Sequence, residues 1–348
     1  MLTPLVSAAV RVALASLIAL AAVFSGLVVL VRQPTFGSRS FSTGPRADAG
    51  TLARHVAILT GPACPRNPRN AQGLELAAAY IADNLARAGA RVEEQRYRAG
   101  GTSCCNVLGQ MGPAAGPVVV VGAHYDAAGD TPGADDNASG VAGLLELARL
   151  LGARSLAGPV LLVAFSTEEP PYFGGAEMGS AVHARSLRRE DREVAAMLTL
   201  EMIGFFTAEQ PSQAVLLDLA YPRRGDFVAV VGRWQDRAVA REVKRAFSGA
   251  TPVPVVSWSG PASLGGDLSD HRNYWAEGYS AVMITDTAYL RNPNYHTGAD
   301  TPETLDYASM AGVVDGVLAA VVDLATRAAR HQASSKNAAA SAHSVSHS

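Results

Sequence analysis

The sequence predicts an α/β protein, a three-layer α/β/α sandwich with a mostly parallel mixed central sheet. Short all-apolar runs, such as those at 118–121 and 160–165, alternate with helical periodicity from about residue 75 to 328. That is the pattern of successive βα units. Unbroken apolar runs suit strands covered on both faces. The segments richest in His, Asp and Glu follow directly on those runs, and open α/β sheets collect their chemistry at strand carboxyl ends.

Residues 12–31 form an uncharged, mainly apolar run of 20. That is enough to cross a bilayer, and longer than the ~7–15-residue core of a cleaved signal peptide. Residues 1–32 are therefore expected to be a signal anchor, with a cleaved, secreted form as the alternative. Arg11 lies before the run and Arg32, Arg39 and Arg46 beyond it, so charge does not fix its orientation. Residues 33–49 are aperiodic and contain Gly, Ser, Thr and Pro, as a linker does. Leu74, Ala77, Ala78, Ile81 and Leu85 share a helix face, and Gly89 is placed to end that helix. Residues 91–97 read as a strand, and buried strands follow at 118–121, 160–165, 197–200 and 281–285. Leu144, Leu147, Ala148 and Leu151 mark a helix over 141–151. An amphipathic helix at 310–328 closes a single domain spanning 50–330. Residues 331–348 are rich in Ser, Ala and His and are expected to be disordered.

The 29 Lys and Arg nearly balance the 31 Asp and Glu, which gives no reason to expect a nucleic-acid partner. No Cys-x-x-Cys or Cys/His spacing marks a structural zinc site. Outside the cytoplasm Cys64 can pair with Cys104 or Cys105, leaving one thiol; three reduced thiols are the other option.

Four segments carry candidate chemistry. His124 and Asp126 follow the 118–121 strand, where a carboxylate can accept the second imidazole N–H and fix the tautomer of a metal ligand. A single His-x-Asp is equally a satisfied pair. Downstream, Asp135-Asp136-Asn137 also suits a turn. Glu168 and Glu169 follow the 160–165 strand. Adjacent carboxylates there are costly unless something pairs them. A divalent metal does so, with one carboxylate ligating while its neighbour takes a proton from water. The alternative is an exposed acidic turn before Pro170-Pro171. Glu201 follows the 197–200 strand, and His296 lies in a loop. Together these make a hard-oxygen and imidazole donor set that suits zinc. Asn137-Ala138-Ser139 matches a glycosylation acceptor but falls inside this set, so it is not expected to be used.

The order and spacing of VVGAHYDAAGDTPGADDNASGVAGLLELARLL, FSTEEPPYFGGAEMGS, LTLEMIG, SDHRNYW and ITDTAYLRNPNYHTGADTPETLD resemble the di-zinc aminopeptidases of clan MH. That group includes bacterial leucyl aminopeptidases, aminopeptidase Y and glutamate carboxypeptidase. The resemblance covers about residues 50–328 and is nearest to a bacterial, membrane-anchored branch. It implies a zinc-exopeptidase fold and two Zn2+ per chain. His124, Asp136 and Glu201 would hold one ion, and Asp136, Glu169 and His296 the other. In that family the bridging Asp lies four residues before the Gly of its Asp-Asn-x-Ser-Gly segment, which the resemblance places here at Asp136. Glu168 would be the general base and Asp126 the partner of His124. Many relatives carry Asp at the Glu201 position, so the longer side chain reshapes the pocket floor. Asp270 and His271 match a segment on the substrate side or behind the ligands.

The implied activity is hydrolysis of peptide bonds on a peptide or protein substrate, as an aminopeptidase, with carboxypeptidase and dipeptidase left open because the family contains both. The membrane would be contacted through the N-terminal helix and the catalytic domain would be extracytoplasmic. The alternative enzyme is a single-zinc acyltransferase like glutaminyl-peptide cyclotransferase, which would keep the equivalents of Asp136, Glu169 and His296. A non-enzymatic member would be expected to have lost ligands, and here none is missing.

Overall fold

The computed structural model describes residues 3–35, 37, 44–211, 219–264 and 266–345. Helix α1 spans Thr3–Arg32, α2 Ala49–Thr60 and α3 Ala71–Arg87, and strands β1 Arg91–Ala99 and β2 Thr102–Met111 form a hairpin. Then come β3 Val118–His124, α4 Gly140–Gly152, β4 Val160–Phe165, α5 Gly179–Arg189 and β5 Val194–Glu201. The chain continues through β6 Val228–Arg233, α6 Arg237–Ser248, β7 Val255–Gly260, α7 His271–Ala276, β8 Ala281–Thr285 and α8 Tyr307–Val345.

The strands make one sheet in the order β1-β2-β4-β3-β5-β8-β6-β7. Its centre, β4-β3-β5-β8, is parallel, and β6 pairs with β7 in parallel. Antiparallel pairing occurs at β1/β2, β2/β4 and β6/β8, so the sheet is mixed. The apolar runs behave as fully covered strands do. Val119, Val121, Leu162 and Ala164 face a core shared with α2, α3, α4, α6 and α8. Val118, Val120, Leu161, Val163 and Phe165 face the opposite layer with α5 and α7. Period-two alternation divides each run between two cores, and each buried Val or Leu contributes roughly 1.5–3 kcal/mol relative to exposure. A third cluster, Phe227, Ala229, Val231, Val256 and Met283 with Tyr221 and Trp258, covers the sheet beyond the α5/α7 layer.

Gly89 takes φ +86° just after α3, the left-handed step that ends helices. The sequence reading missed α2, α5, α6, α7, β2, β6 and β7, which are short or polar on one side. Of the expected linker 33–49, residues 36 and 38–43 lie outside the described residues. Arg46 to Asp48 are held on the domain through Asp315 and Glu146. The tail is a departure from expectation: α8 runs on to Val345. Its alanines, at 333, 338–340 and 342, have the highest helix propensity, which outweighs the low hydrophobicity that suggested disorder. Residues 346–348 lie outside the description. Among the described residues all three cysteines are free, and Cys104 and Cys105 are buried in β2.

A candidate metal centre at the strand ends

β3 and β4 are neighbours, and the chain then crosses β3 to form β5. This reversal opens a crevice at the carboxyl ends of the three strands. His124 ends β3, Glu168 and Glu169 follow β4, and Glu201 ends β5. His296 enters from the loop after β8.

The side chains converge on Asp136. His124 Nε2 lies 3.3 Å from Asp136 Oδ1, and His296 Nε2 lies 3.0 Å from Asp136 Oδ2. Glu201 Oε2 is 3.4 Å from His124 Nε2, and Glu169 Oε2 is 3.2 Å from His296 Nε2. Ligand atoms of His124, Asp136 and Glu169 all lie within 4.8 Å of one another. His124 Nε2 and Glu169 Oε1 are buried without a hydrogen-bond partner. Buried orphans of this kind call for a ligand, and imidazole with carboxylates is a donor set that zinc accepts. The residues therefore fit a metal.

The backbone around them is tightly specified. Asp126 lies beside His124, with His124 Nδ1 3.2 Å from its backbone carbonyl and 3.6 Å from its carboxylate. The carboxylate also accepts the backbone N–H groups of Glu168 at 3.1 Å and Glu169 at 3.0 Å. It thus fixes the acidic pair relative to β3. Asp300 does the same for the other loop, accepting from Asp135 N at 2.9 Å and Asp136 N at 3.1 Å. Asn137 is fully buried. Its amide donates to Leu200 O, and its carbonyl accepts from Gly140 N and Met202 N, which leaves nothing for a glycan. At Gly140 a Cβ would strike Asn137 Oδ1 and come within 2.6 Å of Leu200 O, so only glycine fits there. Arg66 is buried and donates to the carbonyls of Leu59, Tyr125, Pro132 and Gly133, fastening the loop from below. Thr167, Met202 and His296 all have positive φ. Such strain in non-glycine residues gathers at functional sites.

Asp300, Arg66 and Asn292, which donates to Asp135 Oδ2, were missed by sequence reasoning. Asp300 stood inside a recognisable segment, but nothing in the spacing says that its carboxylate grips Asp135 and Asp136. Asp270 and His271 do not line the cavity described below. Asp270 is buried with both oxygens unpartnered, and burial pushes its pKa up to about 7. His271 turns away to Gly266 O at 2.7 Å.

Burial raises Glu168 well above the ordinary carboxylate range and Glu169 to about 7. Burial disfavours charge on His296, but hydrogen bonds to Asp136 and Glu169 hold it up at about 10. His124 is likewise raised, because Glu201 and Glu168 outweigh its burial. The metal-free cluster thus carries protons at pH 7 that an incoming ion must displace. Zinc affinity should rise with pH up to about 10, the value of His296, with roughly one proton or more released per ion near neutrality. Calorimetry in buffers of different ionisation enthalpy reads this directly; heats independent of buffer would contradict it.

A cavity of about 650 Å³ opens beside the cluster. Asp136, Glu168, Glu169, Glu201 and His296 form its polar end, and Phe227, Val231, Trp258 and Met283 are among its apolar walls. Its size and mixed lining suit a small substrate or a side chain.

The chain matches peptidase family M28 over residues 106–321, which includes every candidate ligand. It is 46% identical over 289 residues to the uncharacterized protein YfbL of Escherichia coli K12, covering 80% of this chain and 88% of that protein. It is 28% identical to a probable leucine aminopeptidase of Arthroderma otae, covering 57% of this chain but 51% of the relative, so it spans about half the length of that protein. Among solved structures, the LapA aminopeptidase of Legionella pneumophila aligns with TM-score 0.64 at 19% identity, covering 80% of this chain and 72% of that one. Glutaminyl cyclase of Porphyromonas gingivalis aligns with TM-score 0.62 at 20% identity, covering 80% and 99%. These two likenesses show a shared zinc-exopeptidase fold. With a family match across most of the domain and a relative of near-equal extent, this chain belongs to peptidase family M28, a family of zinc metallopeptidases.

Proposed function

We propose that the chain is an aminopeptidase working with two zinc ions that share Asp136. One observation carries this reading: the two oxygens of Asp136 face different histidines, His124 at 3.3 Å and His296 at 3.0 Å. Each histidine has its own second carboxylate, Glu201 or Glu169. His124, Asp136 and Glu201 would hold one ion, and Asp136, Glu169 and His296 the other.

Zinc bound there supplies a lowered water pKa and polarisation of the scissile carbonyl. Glu168 lines the cavity, with Oε2 3.9 Å from His124 Nε2. It therefore faces both the ligand cluster and the substrate space. There it accepts the proton of the attacking water and passes it to the leaving amine. Asp126 is a positioning residue, holding the Glu168 and Glu169 backbone. A leucine aminopeptidase relative and the apolar cavity support release of N-terminal residues with apolar side chains.

The test sets N-free and N-blocked peptides side by side on the zinc-loaded protein. Hydrolysis of N-free peptides alone is expected; cleavage of blocked peptides only would remove the aminopeptidase reading. The single-zinc cyclotransferase reading uses Asp136, Glu169 and His296 and has the glutaminyl cyclase fold in its favour. One zinc per chain, with cyclisation of N-terminal Gln, would favour it over hydrolysis.

A further inference from the structure

Helix α1 does not simply trail from the domain. Lys244 of α6 is buried, 4% exposed, and its ammonium donates to three oxygens. These are Arg32 O at 3.0 Å, Gln33 O at 2.9 Å and Ser257 Oγ at 3.0 Å. Ser257 Oγ donates in turn to Arg32 O at 2.6 Å. Carbonyls at a helix C-terminus lack intrahelical partners and attract a cation, and here the domain supplies both. Gln33 is buried, and Phe24, Val28 and Val31 are half-buried. Their spacing puts them on one face of the last two turns. The rest of the apolar helix is uncovered: every residue from Val10 to Val23 is exposed, which suits hydrocarbon around it.

The strand that holds α1 also walls the cavity. On β7, Ser257 points to Lys244, while its neighbours Val256 and Trp258 line the cavity. Tyr221 joins the two sides. Its hydroxyl donates to Ser257 O at 3.0 Å, its ring lies 5.5 Å from the Arg32 guanidinium, and it is itself a cavity wall. At the mouth, Leu268 and Tyr289 line the cavity while 40% and 45% exposed. Leu219, two residues before Tyr221, is 63% exposed. Tyr, Trp and Arg beside exposed leucines are the residues that sit at a membrane–water boundary.

We propose that the cavity mouth is held at the bilayer surface, and that the substrates are apolar peptides bound to the membrane which present a free N-terminus within a few residues of the lipid. This deepens the aminopeptidase reading and rests on it, together with retention of α1. The clamp fixes the geometry: with its last two turns on the domain, α1 leaves the bilayer at the same strand that bounds the cavity.

The test uses the full chain, zinc-loaded, in phosphatidylethanolamine and phosphatidylglycerol vesicles. Three peptides with N-terminal Leu are compared: one soluble, and two ending in a palmitoylated lysine. Their spacers are about four and about sixteen residues, reaching roughly 13 and 55 Å from the lipid. Short- and long-spacer peptides should be cleaved with kcat/KM within about threefold of each other. A Gly/Ser segment of about twelve residues inserted between Val31 and Arg32 keeps the Lys244 contacts to Arg32 and Gln33 but parts the preceding turns of α1 from the domain and frees it from the surface. It should lower short-spacer cleavage about tenfold and leave the soluble peptide unchanged. Lys244→Met, which releases α1, should act in the same direction. Cleavage of the long-spacer and soluble peptides with the short-spacer peptide spared overturns the proposal. Cleavage of none of the three overturns the peptidase reading beneath it. Recovery from the vesicles of protein lacking residues 1–32, seen by mass spectrometry, overturns the retained anchor.

Discussion

Replacing Glu168 with Gln should leave the zinc content unchanged and lower kcat by about 10²–10⁴-fold, the range attributed to a positioned general base. The substitution keeps the volume and polarity of the side chain. Its backbone N–H still binds Asp126, so the turn and Glu169 stay where they are. What is lost is the capacity to take and return a proton. KM should change little, because Glu168 is not proposed as a ligand for metal or substrate. Elemental analysis and steady-state kinetics on the same sample separate the outcomes. Full activity in the variant would remove Glu168 from the mechanism. Loss of zinc alongside activity would make it a ligand instead.

Asp136→Asn should have the larger effect on the metal. The charge of this one carboxylate faces both His124 and His296, so both proposed sites lose their common anion. Affinity for zinc should fall by more than the 10–100-fold typical of removing a residue that merely orients a ligand. Activity should fall with it. The metal-free fold should persist, since Asp300 grips the backbone N–H of residue 136 rather than its side chain. Thermal unfolding reads both halves of the claim. Excess zinc at about 100 times Kd stabilises a binding protein by roughly 2.7 kcal/mol, and that increment should vanish in the variant while the zinc-free midpoint stays close to that of the parent. A variant that still shows the zinc-dependent increment at the same concentration would refute the shared role of Asp136.

The neighbouring carboxylates Glu168 and Glu169 are given different roles because they sit differently. Glu169 Oε2 pairs with His296 at 3.2 Å, whereas the nearest histidine nitrogen to Glu168 is that of His124 at 3.9 Å. Sequence alone offers two adjacent glutamates. Family resemblance assigns their roles by position, and the different directions of the two side chains are in keeping with that assignment.

The sequence by itself determined the central strands and which candidate donor residues follow them. The runs at 118–121 and 160–165 are apolar at every position, as suits short strands covered on both faces. His124, Glu168, Glu169 and Glu201 come directly after such runs. The run at 12–31 announced a long apolar helix. Spacing along the chain is enough for these, because burial and strand ends are local properties. Only the tertiary structure decided what depends on the chain folding back over long separations. Asp300 reaches across 164 residues to the Asp136 N–H. The carboxylate of Asp126 turned out to hold the glutamate backbone more closely than the imidazole. Lys244, an unremarked residue in a polar helix, closed on the end of α1 more than 200 positions away. Such contacts carry no periodic signature, since a hydrogen bond between distant segments constrains only two positions, and each of those suits many other structures equally well.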